Sequence, residues 1–320
     1  ERSDWIMRVL RSALQPLRGD NAPSHVQGAA LACLEALATG ETDATAPVTL
    51  SGPAESVEQI VHALITAKDG RRTLDDTLDK LYRVANLTRD RLSLEAWRVL
   101  SHFRPGADWR RALDDSPPEA QLDLIEDGLG WLAAFNGLIH ENMTRNKGWS
   151  FLDTGRRIER AGNMSEAILW LFGRPLARDE EAGRLYFLLE VADSFITYRS
   201  RYRLDPMLPL VLDLLLLDET NPRSLAYQLA SISQHLAGLP QPNQGASLTD
   251  ERRLILSMLT SIRLADVEAL AKDPTRSELQ AAVRNQMHLL PQLTTAIERH
   301  YFNLLEDQPH RVHTRLEPKS

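Results

Sequence analysis

The sequence predicts an all-α protein that folds as an antiparallel helical bundle of about ten to eleven helices. Three observations lead to this prediction. Apolar residues recur at spacings of three and four along most of the chain, as they do on one face of an α-helix. The apolar-polar alternation that is typical of half-buried strands is nearly absent. Most segments between the periodic stretches are short, so consecutive helices should pack antiparallel.

The helices can be placed in order along the chain from their periodicity and from the residues that end them. They cover residues 1–15, 24–39, 54–69, 74–101, 119–144, 148–172, 182–203, 207–217, 222–237, 249–271 and 275–305. Clusters of Gly, Pro, Ser and Asp separate them, chiefly at 39–53, 103–109, 114–118, 172–183 and 238–247. The small, polar segment 39–53 favours a mobile loop, and 306–320, with little apolar content, should be a frayed tail. Asn221 is a natural N-cap for the helix at 222–237, with Pro222 as its first residue.

Length and composition predict a single helical domain over residues 1–305, with two packed sub-bundles divided near residue 145 as the alternative. The chain has 320 residues, of which 43% are hydrophobic, enough to build one large core or two modest ones. It begins at Glu1, inside a helical pattern, which suggests one part of a longer polypeptide.

Charge and cysteine content exclude several classes of protein. The net charge of -7 argues against a nucleic-acid-binding protein. The single cysteine, Cys33, excludes an internal disulfide and a cysteine-based zinc site. We expect a cytoplasmic protein without a membrane segment, because no signal peptide is visible and the longest apolar block, 208–217, is too short to span a bilayer.

The segment 143–163, MTRNKGWSFLDTGRRIERAGN, is the first candidate site. It combines the charged residues Arg145, Arg156, Arg157, Glu159 and Arg160 with a helical apolar stripe. Two glycines on that stripe, Gly155 and Gly162, would allow another backbone to come close. Because an unpaired buried charge is costly, the charged residues must either pair in a network or meet a ligand.

The dipeptide Glu159-Arg160 echoes Glu1-Arg2 at the start of the chain. In both places a small residue follows the pair, and apolar residues occupy the next turns. The spacing alone leaves an internal duplication and a coincidence equally open.

Two further segments carry candidate residues. In DSFITYRSRYR, Tyr198, Arg199 and Arg201 lie near the end of a predicted helix, where arginines also simply favour the helix dipole. In DETNPRS, Arg223 falls in a predicted first turn, where a cation needs a nearby anion from the protein or from a ligand. Standard phosphate-binding, hydrolase and metalloprotease motifs do not occur in the chain.

Four blocks of sequence resemble one family. GWSFLDTGRRIERA, the preceding ENMTR, the later SFITYRSRY and LDLLLLDETNPRSLAYQL match the alpha-E domain family in order and spacing from Glu141 to Leu229. Weaker similarity extends to both ends, including HYF at 300–302, and the family also has an earlier ER motif that Glu1-Arg2 resembles. The resemblance implies an all-helical fold with a repeated ER helix.

The resemblance also implies a function and partners. Alpha-E proteins are associated with circularly permuted ATP-grasp enzymes, as fused domains or neighbours, and with transglutaminase-like peptidases. We therefore expect a helical component of an ATP-dependent amide ligase, acting on a small peptide or amino acid, with ATP and Mg bound by the ATP-grasp partner and no cofactor or metal on this chain. Whether this domain is itself an enzyme is left open. The alternative is a non-catalytic docking module whose Arg–Glu sets are structural ion networks.

Candidate roles follow from the chemistry of each residue type. Glu159, together with Glu1 or Asp4, would bind or deprotonate an amine through its carboxylate. Tyr198 is a further catalytic candidate. The other candidates are seven arginines and one asparagine, whose side chains would hold carboxylate or phosphoryl groups. They are Arg2, Arg145, Arg156, Arg160, Arg199, Arg201, Asn221 and Arg223.

Overall fold

The computed structural model describes residues 1–15, 73–102, 116–240 and 247–302, together with the single positions 34, 61, 64 and 65. These residues form twelve α-helices and no strand, which confirms the all-α prediction. The helices are α1 (Arg2–Leu14), α2 (Leu74–Leu87), α3 (Leu94–His102), α4 (Pro118–Asn142), α5 (Lys147–Phe172), α6 (Arg178–Val191), α7 (Phe195–Tyr202), α8 (Leu208–Leu212), α9 (Leu225–Gly238), α10 (Asp250–Arg263), α11 (Val267–Lys272) and α12 (Ser277–Tyr301).

Several sequence predictions fall outside these residues. They are Cys33, the loop at 39–53, the tail at 306–320 and most of the helices predicted at 24–39 and 54–69. Within those two helices the four described positions are helical and buried.

Three helices that the sequence predicts as continuous are broken, and that part of the prediction is wrong. The helix predicted at 74–101 is interrupted by a 3₁₀ turn at Arg89–Arg91. The helix predicted at 182–203 ends at Val191 and restarts at Phe195, because Asp193 adopts the left-handed conformation with φ 52°. The helix predicted at 249–271 is split at residues 264–266, where the Asp266 side chain caps α11.

Two predicted helix starts are also wrong. The helix predicted from residue 222 begins at Leu225, because the hydroxyl of Ser224 accepts the hydrogen bond from Tyr227 N and so acts as the N-cap. Asn221 precedes the helix instead. The predicted breaker at 172–183 contains the first turns of α6, which begins at Arg178.

α5 is the central helix of the core and α1 lies beside it. α5 packs against α6, α9 and α12, while α1 packs against α2, α4 and α6. The main core takes buried side chains from both sides of residue 145, for example Leu10 and Leu122 before it and Ile168 and Leu212 after it. A smaller apolar cluster joins α2, α3, α4 and the start of α5 around Phe135, Ile139 and Trp149.

The expected close backbone approach at the two glycines of α5 is not found. A Cβ placed on Gly155 would have no heavy atom within 4 Å, and one on Gly162 would be in ordinary contact with Leu290 Cδ1 at 3.9 Å. The stripe therefore leaves room at both glycines where the sequence suggested a tight seam, because side chains of α12, such as Leu290 and Tyr301, separate it from the neighbouring backbone.

We expect Gly155→Ala to stabilise the protein by about 0.5–1 kcal/mol, because alanine costs less backbone entropy in a helix and its methyl group meets open space. Urea denaturation measures the change. Gly148→Ala is the contrast: its Cβ would lie 3.1 Å from Asn146 Oδ1, the atom that caps α5, so its gain should be smaller or reversed. A lower midpoint for Gly155→Ala than for the wild type would contradict the expectation.

Candidate functional site

The two Glu-Arg dipeptides exchange partners across the interface of α1 and α5. Arg2 donates two hydrogen bonds to Glu159, from Nε at 2.7 Å and from Nη2 at 2.5 Å. In return, Arg160 Nε donates to Glu1 Oε2 at 2.6 Å. Each glutamate thus pairs with the arginine of the other motif. We call these four residues, together with Arg156, the ER centre.

The two halves of the ER centre differ in burial. The Glu1 side chain is 5% exposed, and both its oxygens are occupied, since Arg156 Nε donates to Oε1 at 2.8 Å. Arg2 and Glu159 remain 50% and 32% exposed. The Glu1 half is therefore a buried structural pair, whereas the Glu159 half is open to exchange its partner.

Charge keeps Glu1 ionised despite its burial. Burial by itself would raise the pKa of Glu1, but the positive charge around it, to which Arg160 and Arg156 contribute, outweighs this effect and lowers the pKa to about 2. In the pair of Arg2 with Glu159, the hydrogen bonds to Glu159 raise the pKa of Arg2, although burial acts in the opposite direction. Glu1 and Arg2 are therefore both charged at neutral pH.

A second set of polar side chains lies between α5 and α9. The buried carboxylate of Asp153 accepts Arg157 Nε at 3.0 Å and contacts His235 Nε2 at 2.8 Å. Arg157 also reaches Gln228 Oε1 at 3.2 Å. Burial opposes ionisation of Asp153, but the hydrogen bonds from His235 and Arg157 and the charge of Arg157 lower its pKa overall. These contacts tie α5 to α9 and fix the direction of the charged face of α5.

A cluster of mixed charge extends the ER centre toward the end of α6. Arg8 donates to Asp4 at 2.9 Å and lies 3.5 Å from Asp193, whose carboxylate is 63% exposed. Arg223 approaches the same two carboxylates, but only to 3.9 Å in each case. Asp193 is placed here by its left-handed backbone between α6 and α7.

Arg223 is the least satisfied cation of this cluster. Its side chain is 23% exposed, yet its guanidinium makes no hydrogen bond with any residue that the structure describes. Burial is the main cause that lowers its pKa to about 10, followed by the positive charges of Arg8 and Arg160; Asp4 and Asp193 oppose the shift. A guanidinium in such surroundings is suited to receive an anion.

Four other residues that the sequence singled out have internal partners. Arg145 donates to His140 O at 2.5 Å and lies 3.8 Å over the Trp149 ring, so it closes the end of α4. Arg201 pairs with Asp218 at 2.5 Å. These contacts place Arg145 and Arg201 outside the ER centre.

Tyr198 and Asn221 are also used by the fold. The Tyr198 hydroxyl donates to Asp205 O and accepts from Met207 N, both at 3.1 Å, and burial raises its pKa. Asn221 donates to Leu214 O at 3.1 Å and accepts from Arg223 N at 3.0 Å. Asn221 thereby orients the segment that carries Arg223.

Arg199 lies in a different place. It lines a cavity of about 610 Å³ with Tyr186, Phe195 and Arg203, and its guanidinium lies 5.8 Å from the centre of the Phe195 ring. No hydrogen bond or ion pair in the described part of the chain joins it to the ER centre.

Sequence reasoning missed Arg8, Asp153, Asp193 and His235 as members of this region. The i, i+4 pairs Asp4–Arg8 and Asp153–Arg157 were visible as spacings that favour ion pairs on a helix. The position of Asp193 had no local signal, because its positive φ arises where α6 and α7 meet.

The region can hold an anion beside an exchangeable carboxylate. Among the described residues, no group of three or more His, Cys, Asp or Glu side chains is placed to bind a metal ion. No described helix is both long enough and apolar enough to cross a membrane.

Comparison with known proteins gives a family match over most of the chain. A model of the Alpha-E family, described as a predicted alpha-helical domain with a conserved ER motif, matches residues 1–302. Uncharacterized proteins of Mycobacterium bovis and of two strains of Mycobacterium tuberculosis are 28% identical over 226 residues. That match covers 68% of this chain but 25% of each relative, so the chain spans about a quarter of their length. No solved structure matches significantly.

Replacing Arg160 should cost far more stability than replacing Arg2. Arg160→Met leaves Glu1 buried with one partner fewer, for which we expect a loss on the order of 3 kcal/mol. Arg2→Met breaks an exposed pair and should cost no more than about 1 kcal/mol. Urea denaturation at neutral pH compares the two variants. Equal losses would show that the burial difference between the two halves has no energetic effect.

Acid should destabilise the protein as the pH falls from the ordinary pKa of a glutamate to the lower pKa that Glu1 has in the folded protein. Glu1 has a folded pKa of about 2, compared with an ordinary value of 4.5. A carboxyl group with a depressed folded pKa contributes stability above its ordinary pKa and loses it as the pH falls toward the folded value. We expect about 3 kcal/mol to be lost in this window, since one pKa unit corresponds to roughly 1.4 kcal/mol. Unfolding free energies measured through this window test it, and Glu1→Gln should flatten the profile.

Proposed function

The chain belongs to the Alpha-E family, and we propose that it is the helical component of an ATP-dependent amide-bond-forming system whose acyl or acceptor substrate binds at the ER centre. ATP and Mg would bind a circularly permuted ATP-grasp partner, fused or separate. The observation that supports this proposal best is Arg223, a largely buried guanidinium without a side-chain hydrogen bond to a described residue.

The buried charge of Arg223 destabilises the fold, and a bound anion would restore this stability. Its charge is desolvated, its nearest carboxylates stand at 3.9 Å, and Arg8 and Arg160 repel it. A carboxylate or phosphoryl group placed between these cations would receive charge-assisted hydrogen bonds and relieve the repulsion. In this proposal Arg223 is the primary anion-binding residue, with Arg8 and Arg160 beside it.

Glu159 supplies the complementary role. Its carboxylate is partly exposed and, among the described residues, is held only by Arg2, which is itself half exposed. An ammonium or amine group can therefore compete for it. In the amide-forming step, the amine nitrogen would attack the acyl phosphate carbon, inorganic phosphate would leave, and Glu159 would take the proton that the amine loses.

The length of the relatives is compatible with a partner domain. The matched region is 25% of each mycobacterial relative, so most of those chains lies outside it. We propose a cytoplasmic complex in which this chain presents the ER centre to the ATP-grasp site. A transglutaminase-like peptidase is a second candidate partner.

A non-catalytic docking module is the alternative, and the buried networks favour it. Glu1 and Asp153 have all their oxygens engaged by cations or by a histidine, as expected of pairs that fix helix register. Under this alternative Arg223 would be one more structural cation of the α1–α5 interface.

Arg223→Met separates the two functions. If Arg223 is an anion-binding residue, its loss should leave the unfolding free energy unchanged or raise it by about 1 kcal/mol, because a buried charge without a hydrogen bond is removed. ATP-dependent product formation with the ATP-grasp partner, followed by mass spectrometry, should fall at least tenfold. Asp4 keeps Arg8 as its partner in this variant.

The controls decide the interpretation. Arg263→Met removes another arginine, which forms an exposed pair with Glu219, and should leave product formation unchanged. Glu159→Gln should lower product formation while changing stability by no more than about 1 kcal/mol. If Arg223→Met destabilises the fold as Arg160→Met does, or leaves product formation intact, the anion-binding role is wrong and the docking module is favoured.

A further inference from the structure

A groove of about 1030 Å³ runs between α10 and α12, and none of the residues that line it belongs to the ER centre. One wall carries Asp250, Arg253 and Ser257 of α10. The other wall belongs to α12 and includes Pro291, which has no N–H to continue the helical hydrogen-bond ladder. Nine of the twelve residues that line the groove have polar side chains, so hydrogen-bond donors and acceptors stand beside its apolar surface.

A carboxylate–histidine pair, with the carboxylate buried, lies in the lining of this groove. Glu251 is 1% exposed and contacts His300 Nδ1 at 2.7 Å. Its Oε1 atom also accepts the Thr249 hydroxyl at 2.5 Å. Burial opposes the ionisation of Glu251, but these hydrogen bonds lower its pKa overall. The carboxylate is therefore ionised, and its Oε1 atom holds His300 Nδ1 at 2.7 Å.

With Nδ1 held by Glu251, Nε2 is the nitrogen of His300 that remains for a ligand. A neutral imidazole that donates from Nδ1 accepts at Nε2. In the described part of the chain Nε2 has no hydrogen-bond partner, and His300 lines the groove. The ring is held in place by stacking on Tyr301, with centroids 4.2 Å apart.

Two arginines in the same groove have no carboxylate partner among the described residues. Arg253 donates only to the backbone oxygen of Leu248 at 3.0 Å, and no contact engages the Arg299 guanidinium. The remaining carboxylate of the groove, Asp250, stands in the first turn of α10 without an ion pair in the described residues.

We propose that this groove is a second ligand site, which takes a small oxyanion that also carries a hydrogen-bond donor. Arg253 and Arg299 hold the carboxylate or phosphate, and His300 Nε2 accepts from a hydroxyl or ammonium group. Glu251 is a positioning residue that fixes the histidine tautomer. Asp250 favours a ligand whose donor group is positively charged. The site does not depend on the function proposed for the ER centre.

Titration of the full-length chain with two probes at constant ionic strength tests the proposal. The probes are inorganic phosphate, whose monohydrogen form has both oxyanions and a hydroxyl, and L-serine, which has a carboxylate, a hydroxyl and an ammonium group. The ¹⁵N signals of the His300 ring should shift saturably with at least one probe. A stronger response to L-serine identifies a carboxylate ligand, and a stronger response to phosphate identifies a phosphoryl ligand.

Variants separate a ligand site from a structural clamp between α10 and α12. His300→Asn keeps an amide N–H near the Nδ1 position, so it can still donate to Glu251, but it lacks Nε2. It should unfold like the wild type and bind the preferred probe at least tenfold more weakly by calorimetry. Arg299→Met should also weaken binding tenfold without a change in Tm, whereas Lys272→Met, an exposed lysine outside the groove, should have no effect.

The proposal is overturned if neither probe gives a saturable shift, or if Arg299→Met and Lys272→Met bind equally well. It is overturned as well if His300→Asn folds and binds like the wild type. Arg223→Met reports on the ER centre alone: it should leave binding in this groove unchanged, so failure of one proposal can be distinguished from failure of the other.

Discussion

The exchange of partners between two Glu-Arg dipeptides is the interaction on which the described structure depends. Glu1 is buried and can remain charged only because Arg156 and Arg160 reach it from α5. This requirement fixes the position of α1 along α5, since a shift by one turn would leave a carboxylate buried without its cations. Reciprocal pairing then places Arg2 opposite Glu159. The central helix and the first helix are thus joined by charge as well as by the apolar core.

Charged groups around this interface fall into two kinds. Asp153 and Glu1 are surrounded by donors, which is what a structural network requires. Arg223 has a different environment, because burial and two neighbouring arginines act against its charge while its carboxylates stay at 3.9 Å. A fold that retains such a cation loses stability, and anion binding is the physical benefit that would explain its presence. This contrast, rather than the number of arginines, distinguishes a candidate site from a network.

The same distinction applies in the groove between α10 and α12. Glu251 and His300 are paired, but two arginines of the same groove, Arg253 and Arg299, have no carboxylate partner in the described residues. Family similarity extends to residue 302 and so includes this groove as well as the ER centre. Two sites on one helical frame would suit a component that presents bound molecules to a larger enzyme.

The sequence by itself determined the all-α class, most of the helix positions and the importance of the two Glu-Arg dipeptides, because periodicity, breakers and repeated motifs are local properties of the chain. It missed the breaks at Asp193 and at residues 264–266, and it placed the start of α9 too early, because capping depends on which side chain reaches a free backbone N–H. The tertiary structure alone decided which charges meet. It assigned Arg145 and Arg201 to internal contacts, placed Arg199 in another cavity, and left Arg223 beside Arg8 and Arg160. Pairing energy depends on distance and burial, and neither is set until the helices pack.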